Sequence, residues 1–279
     1  QGAGRRGRRC AVGKNRIAGY ALRLKTRQEK TQALQRNLDG VSVQLRTLEA
    51  KANMLREMER DFEGFSKAVR LVMQEAARGA LSGVHGPVSK LIRVEDRYTT
   101  AIETALGAAM QNIIVDDEAS GKAAIQLLKR RDAGRATFLP LSTVTGRRLS
   151  EPSLANMPGY VGVASELAQT DGRYQGILEN LLGRTVIAET LDNAIAMARK
   201  TGNRVRIVTL DGQVMNPGGS MTGGSSAKSA GVLSRANELK RLEQEREKLL
   251  DTQSDYKKSL QQAQSQLAET EYELSLIHI

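Results

Sequence analysis

Two stretches of heptad spacing, one towards each end of the chain, most strongly constrain how this sequence can fold. Apolar residues recur there at alternating intervals of three and four, which is typical of the seam between two helices of a coiled coil. The first seam comprises Ile17, Tyr20, Leu24, Arg27, Thr31, Leu34, Leu38, Val41, Leu45, Leu48, Ala52, Leu55, Glu59 and Phe62. The second comprises Leu239, Leu242, Arg246, Leu249, Gln253, Tyr256, Leu260, Ala263, Leu267, Thr270 and Leu274. We expect Arg246 and Gln253, which are polar, to weaken the second seam and to fix its register.

The chain passes from one seam to the other through a segment with a different pattern. The two helices can therefore pair antiparallel within one molecule, and the alternative is two unrelated helices that pack on other partners. The resulting division has a basic tail over residues 1–16, which we expect to be disordered, and two coiled-coil arms over 17–75 and 231–279. A globular body lies between the arms.

The body contains an internal repeat of short β-rich runs and helices. A predicted strand at Asn112–Val115 follows Leu106-Gly107, and a similar run at Val186–Ala188 follows Leu182-Gly183. Matching positions are 76 residues apart at the Leu-Gly pairs and 69 apart by Leu141 and Leu210. An ordered repeat of this kind predicts a mixed α/β fold of two similar half-domains, over residues 76–150 and 151–230.

Composition narrows the class of protein further. The net charge is +11, with 42 Lys and Arg against 31 Asp and Glu, which favours a polyanionic partner. The single cysteine, Cys10, excludes an internal disulfide and leaves no cysteine pair for structural zinc, so we expect a reducing, cytoplasmic setting. The sequence contains no run of about 18 apolar residues, which a membrane-spanning helix would need. Because the chain begins at Gln1 and has an arm towards each end, we expect it to be part of a longer protein.

A glycine-rich run closes the body. It comprises Gly218, Gly219, Ser220, Met221, Thr222, Gly223 and Gly224. A phosphate-binding loop would need a lysine after its last glycine, and here Gly224 and Ser225 follow Gly223. Glycine lets one backbone approach another closely, so we interpret the run as a dimer interface, with a flexible loop as the alternative.

No group of residues predicts catalysis, a metal site or a cofactor. Only two histidines occur, and His85, beside Gly86-Pro87, is typical of a turn rather than of a general base. The acids of Asp116–Glu118 open a predicted helix, where they stabilise the helix dipole without an ion. We therefore predict no catalytic residue, no metal ligand and no bound cofactor in this chain.

Basic residues gather where the body meets the second arm. The candidate DNA-binding residues are Lys228, Arg235, Lys240 and Arg241, together with Arg147 and Arg148 between the half-domains. Without aromatic residues to stack on bases, such a set would contact the phosphate backbone regardless of sequence. The alternative is an ordinary solvated helix face.

Several motifs together resemble the hinge of a bacterial structural maintenance of chromosomes (SMC) protein. They are Gly83–Gly86, Ala101–Gly107, Gly134–Leu141, Thr209–Gly224 and Leu233–Arg235. The resemblance implies a mixed α/β hinge domain of two similar half-domains, flanked by an antiparallel intramolecular coiled coil. It also implies a homodimer in which half-domain one of each copy meets half-domain two of the other.

The resemblance further implies a role for the longer protein. That protein would be an ATPase of chromosome condensation and segregation, associated with the nucleoid, whose heads lie at the far ends of the arms and outside this chain. The hinge and its adjoining coil would bind DNA, and we expect accessory subunits to bind elsewhere. Two alternatives remain open: a ligand-binding or catalytic α/β domain flanked by helices, and a purely architectural coiled-coil connector that does not bind DNA.

Overall fold

The computed structural model describes residues 2–224 and 231–278 of the chain, and the side chains of residues 16–224 and 231–276. The chain divides into two compact units, one formed by residues 1–55 and 240–279 and the other by residues 56–239. The α-helices of the described residues are α1 (Gly2–Arg60), α2 (Lys67–Ala77), α3 (Val88–Leu91), α4 (Asp96–Leu106), α5 (Glu118–Arg130), α6 (Pro152–Ala155), α7 (Gln175–Leu182), α8 (Leu191–Lys200) and α9 (Val232–His278). The strands are β1 (Val84–Pro87), β2 (Ile92–Val94), β3 (Ile113–Val115), β4 (Phe138–Pro140), β5 (Tyr160–Val163), β6 (Ala168–Thr170), β7 (Thr185–Ala188), β8 (Arg206–Thr209), β9 (Val214–Met215) and β10 (Met221–Thr222).

The first unit is a coiled coil of α1 and α9, and its seam is the one that the heptad spacing predicts. Each seam position named above is buried or partly buried, whereas most positions between them are exposed. Leu45, Ala52, Leu260 and Ala263 are among its most buried side chains. The alternation of three and four residues therefore describes the observed packing of both helices.

Polar contacts across the seam show that α1 and α9 run antiparallel. Gln253 Nε2 donates to Ser42 Oγ at 3.0 Å, and Arg246 Nε lies 3.2 Å from Glu49 Oε1. The contact that lies later in α1, at Glu49, is made by the residue that lies earlier in α9, Arg246. The two polar residues of the second seam thus have polar partners, which supports their predicted role in fixing register.

The ends of α1 differ from the predicted tail and arm. The helix begins at Gly2, within the segment predicted as a disordered tail, and ends at Arg60 instead of continuing to residue 75. A turn follows in which Phe62 and Gly64 have φ of 51° and 89°, values that a helix does not accommodate. Ser66 then caps α2, which belongs to the second unit.

The second unit contains two half-domains with the same strand arrangement. In the first sheet, of order β1-β3-β4, β1 is antiparallel to β3 and β3 is parallel to β4. In the second, of order β10-β9-β8-β7-β5, β5 is antiparallel to β7 and β7 is parallel to β8. The register shifts at the same place in both, between Val84 and Gly86 and between Tyr160 and Gly162. The predicted repeat and the mixed α/β fold are confirmed.

A third, two-stranded sheet joins the half-domains. Strands β2 and β6 are antiparallel, and Arg93 lies opposite Gln169. These two residues are 76 positions apart, as are Leu106 and Leu182, so the repeat places equivalent residues opposite each other. A local twofold axis therefore relates the two halves at this sheet. Side chains of both halves, such as Ile102 and Leu182, pack in one buried cluster.

Candidate functional site

The glycine-rich run forms the outer edge of the five-stranded sheet. Among the residues that the structure describes, strand β10 pairs only with β9, and Met221 and Thr222 are exposed. Asn216 N–H donates to the carbonyl of Ser220 at 2.8 Å. Because hydrogen-bonded and non-bonded pairs alternate in an antiparallel ladder, the peptide groups of Met221 point away from β9. The run thus presents an open strand edge.

The backbone conformation and the packing within one chain already require glycine at these positions. Gly218, Gly219 and Gly224 have φ of 88°, 90° and 133°, which other residues rarely adopt. At Gly223 an added Cβ would clash with the side-chain oxygen of Gln213, which accepts a hydrogen bond from Gly224 N–H at 2.8 Å. These constraints shape the hairpin that carries β10, so the interface interpretation depends on the strand edge rather than on glycine alone.

The three-stranded sheet ends at a second open edge. Strand β4 is the counterpart of β8. On its outer side β8 pairs with β9, whereas no described strand pairs with the outer side of β4. Phe138 and Pro140 of β4 are partly buried. One sheet therefore ends at β4 and the other at β10, each in a different half-domain.

The predicted basic residues are divided between the two units. Arg147 and Arg148 lie exposed in the linker after β4, and Arg148 pairs with Glu179 at 2.7 Å. Hydrogen bonds from Gln175 and then from Arg148 lower the pKa of Glu179. Lys240 and Arg241 are exposed on α9 and belong to the coiled-coil unit, and Lys228 lies outside the described residues.

Arg235 differs from the prediction that it is available to DNA, because its side chain is buried. Its exposed fraction is 8%, and its guanidinium donates to the carbonyl of Glu63 at 2.8 Å. The buried cation binds the turn after α1 and is not available to contact DNA phosphates.

The geometry around His85 is that of a structural residue. Its Nε2 lies 2.7 Å from Asp116 Oδ1, and its Nδ1 lies 3.1 Å from the hydroxyl of Tyr174. Both ring nitrogens thus have partners, and the second contact links the half-domains. Within the described part of the chain, no group of three or more potential metal ligands lies together, and no helix is long and apolar enough to cross a membrane.

Sequence comparison connects this architecture with a known family. Residues 81–198 match the family model described as the SMC proteins flexible hinge domain. The chromosome partition protein Smc of Bacillus subtilis is 46% identical over 194 residues, which are 68% of this chain and 16% of that protein. Its counterpart in Desulfitobacterium hafniense is 37% identical over 222 residues, or 78% of this chain and 18% of that protein. The chain thus spans under a fifth of the length of these relatives.

Structural comparison extends the match to nearly the whole chain. An asymmetric dimer of the Geobacillus stearothermophilus SMC hinge domain is similar with a TM-score of 0.78 and 39% identity, and the match covers 89% of this chain and 99% of that one. The Pyrococcus furiosus SMC hinge domain is similar with a TM-score of 0.50 and 28% identity, over 65% of this chain and 92% of that one. Since these matches agree with the duplicated half-domains and the flanking helices, the chain belongs to the SMC hinge family.

Proposed function

We propose that this chain is the dimerising hinge of a bacterial chromosome partition protein. Its relatives carry that name, and the Geobacillus hinge is described as a dimer. A hinge is not a catalytic domain, so the alternative of a catalytic α/β domain is wrong. The longer protein would be an ATPase of chromosome segregation, associated with the nucleoid, with its heads beyond the arms.

The observation that carries the dimerisation proposal is the pair of open strand edges. Strand β10 of one copy would pair with β4 of its partner, and a twofold axis would repeat the contact. Each contact would join a three-stranded and a five-stranded sheet, and it would cover edges that otherwise invite uncontrolled pairing. This arrangement brings half-domain one of each copy against half-domain two of the other.

Replacing Met221 tests this contact through the backbone. Met221→Pro removes the N–H that points away from β9, and proline is tolerated at such an edge position. The matched control, Met221→Val, changes the side chain but keeps the N–H. In sedimentation at micromolar concentration we expect a dimer for the unmodified chain and for Met221→Val, and a folded monomer for Met221→Pro. A dimeric Met221→Pro, or a monomeric unmodified chain, contradicts the proposal.

We also propose that basic residues of the hinge and of the adjoining arm bind DNA without sequence preference. Arg147, Arg148, Lys240 and Arg241 would contact phosphates, together with Lys228. Two observations support this: Arg147 and Lys240 are exposed, and the whole chain carries a charge of +11.

Salt dependence of DNA binding tests the second proposal. For Arg147→Ala and Lys240→Ala we expect weaker binding to a mixed-sequence duplex, and each lost phosphate contact should lower the slope of log affinity against log salt by about one. Lys25→Ala, which removes an equal charge from an exposed position of α1, serves as the control. Equal losses in all three variants would contradict a local contribution of Arg147 and Lys240. No binding of the unmodified chain at low salt would support the architectural connector instead.

A further inference from the structure

Two cations hold the carbonyl end of α1. The last turn of a helix leaves carbonyl groups without helical partners and carries a partial negative charge. Lys90 Nζ donates to the carbonyl of Glu59 at 2.7 Å and lies 4.0 Å from the centre of the Phe62 ring. Arg235 donates to the carbonyl of Glu63 in the turn that follows. Lys90 thus adds a charged donor to a carbonyl that also accepts from Phe62 N–H at 3.3 Å, and Arg235 supplies a donor to the Glu63 carbonyl.

One carboxylate holds the amide end of α9, where the partial charge is positive. Glu103 Oε1 accepts from the N–H of Leu233 at 2.8 Å and from that of Ser234 at 3.1 Å. Its Oε2 accepts from the Ser234 hydroxyl at 3.3 Å. A single side chain thus satisfies two of the amides that the first turn of a helix leaves without partners.

Further contacts keep the first turns of α9 against half-domain one. Asn237 Nδ2 donates to the carbonyl of Val94 and to Thr99 Oγ1, both at 3.0 Å. Leu233 is 3% exposed and packs in the cluster shared by the half-domains. The chain therefore leaves half-domain two after β10, yet the helix it enters is held by half-domain one.

The internal repeat shows that this arrangement belongs to one half only. The position equivalent to Lys90 is Glu166, which is exposed and of opposite charge. The position equivalent to Glu103 is Glu179, whose carboxylate binds Arg148 of the linker instead of a helix end. The two halves share a fold, but only the first has this pair of charges of the right sign at the two helix ends.

We propose that Lys90 and Glu103 are positioning residues that fasten the end of α1 and the start of α9 to half-domain one by matching the opposite partial charges of the two helix ends. This inference goes beyond the dimerisation proposed above and does not depend on it. Burial lowers the pKa of Lys90, while the nearby Glu59 raises it and Arg235 lowers it further. The amine is thus partly withdrawn from water, which strengthens its hydrogen bond to the helix carbonyl.

Hydrogen exchange of the full chain tests the role of Glu103. Because hydrogen bonds to charged groups are strong, Glu103→Gln should speed exchange of the Leu233–Asn237 amides about tenfold or more. The matched control is Glu179→Gln at the equivalent position of α7, which should leave those amides unchanged and loosen the 145–149 linker. An unchanged rate in Glu103→Gln, or an equal increase in Glu179→Gln, overturns the proposal.

Lys90 is tested at the other helix end. Lys90→Gln should speed exchange of the amides that close the end of α1, and Lys90→Arg, which keeps the cation, should restore most of the protection. Both Lys90→Gln and Glu103→Gln should still sediment as the unmodified chain does, which separates this proposal from dimerisation. Equal rates in the Gln and Arg variants would show that charge is not what holds this end.

A milder variant covers the case in which Glu103→Gln unfolds the chain. Ser234→Ala removes the hydroxyl contact to Glu103 Oε2 and leaves the carboxylate and both backbone bonds in place. We expect exchange to rise by a few-fold at the first turn of α9 and to stay unchanged elsewhere. An unchanged exchange rate at the first turn of α9 would contradict the proposal that Glu103 holds this turn.

Discussion

Gly183, at the end of α7, should be the least replaceable small residue of the linker region. It is buried, and the linker backbone passes over it so closely that an added Cβ would clash with the carbonyl oxygen of Arg147. A backbone oxygen cannot rotate away as a side chain can. Gly183→Ala must therefore move the linker away from α7.

The expected loss follows from the contacts that the linker makes there. Leu149 N–H donates to the carbonyl of Gly183 at 2.7 Å, and Asn180 Nδ2 donates to the carbonyl of Thr145 at 3.0 Å. At about 1 kcal/mol for each hydrogen bond, Gly183→Ala should lower the free energy of unfolding by ~2 kcal/mol. Gly176→Ala is the control, because its Cβ would meet the same linker only at ordinary contact distance. Inside α7, alanine should instead raise the free energy of unfolding by up to about 1 kcal/mol.

Urea denaturation of both variants, at one fixed protein concentration, measures the two shifts. We expect the free energy of unfolding to fall in Gly183→Ala, at the cap of α7, and to rise in Gly176→Ala, within the same helix. If Gly183→Ala unfolds within about 0.5 kcal/mol of the unmodified chain, the linker is not fixed where the structure places it. The close approach would then play no part in joining the half-domains.

Three further outcomes are expected. Thr190→Ala removes the side chain that accepts from Asn193 N–H at the start of α8, so urea denaturation should show a loss of ~1 kcal/mol. At Asp117, the hydrogen bond from Ser120 N–H lowers the pKa of the carboxyl, so its stabilising effect is full above the ordinary Asp pKa and is lost as pH falls through the lower folded value. Thermal unfolding of Asp117→Asn should lack that part of the acid dependence, and an unchanged acid profile would refute the assignment. Gln253→Leu should raise the unfolding midpoint of the coiled coil, followed by circular dichroism, because it puts an apolar group in the seam; a lower midpoint would mean that the bond to Ser42 outweighs burial.

The features that were predictable from the sequence are those that repeat along it. Heptad spacing is a local pattern, so the seam positions could be named one by one, including the polar Arg246 and Gln253. The duplication was visible because both halves keep the same order of elements, and the observed registers preserve the drift in spacing. Ile113 faces Phe138 in one half and Val186 faces Ile207 in the other, so the spacing between halves has fallen from 73 to 69 residues between these strands.

The features that could not be predicted depend on contacts between distant parts of the chain. Arg235 has the sequence context of an exposed helical arginine, and only the carbonyl of Glu63, 172 residues away, explains its burial. The spacing of Glu59 and Phe62 continues the heptads, although the helix stops at Arg60. Phe62 lies in the turn that follows and packs against Phe65, with ring centres 5.6 Å apart. The contacts of Lys90 with the end of α1 and of Glu103 with the start of α9 could not be predicted for the same reason.

The face-to-face position of Arg93 and Gln169 has a consequence for the origin of the fold. Equivalent residues meet in this way when two identical chains associate about a dyad. The joint between β2 and β6 is therefore the contact that a half-length ancestor would have made with its own copy. Gene duplication and fusion would have made that ancient association permanent, and each half could then diverge, as the opposite charges of Lys90 and Glu166 show.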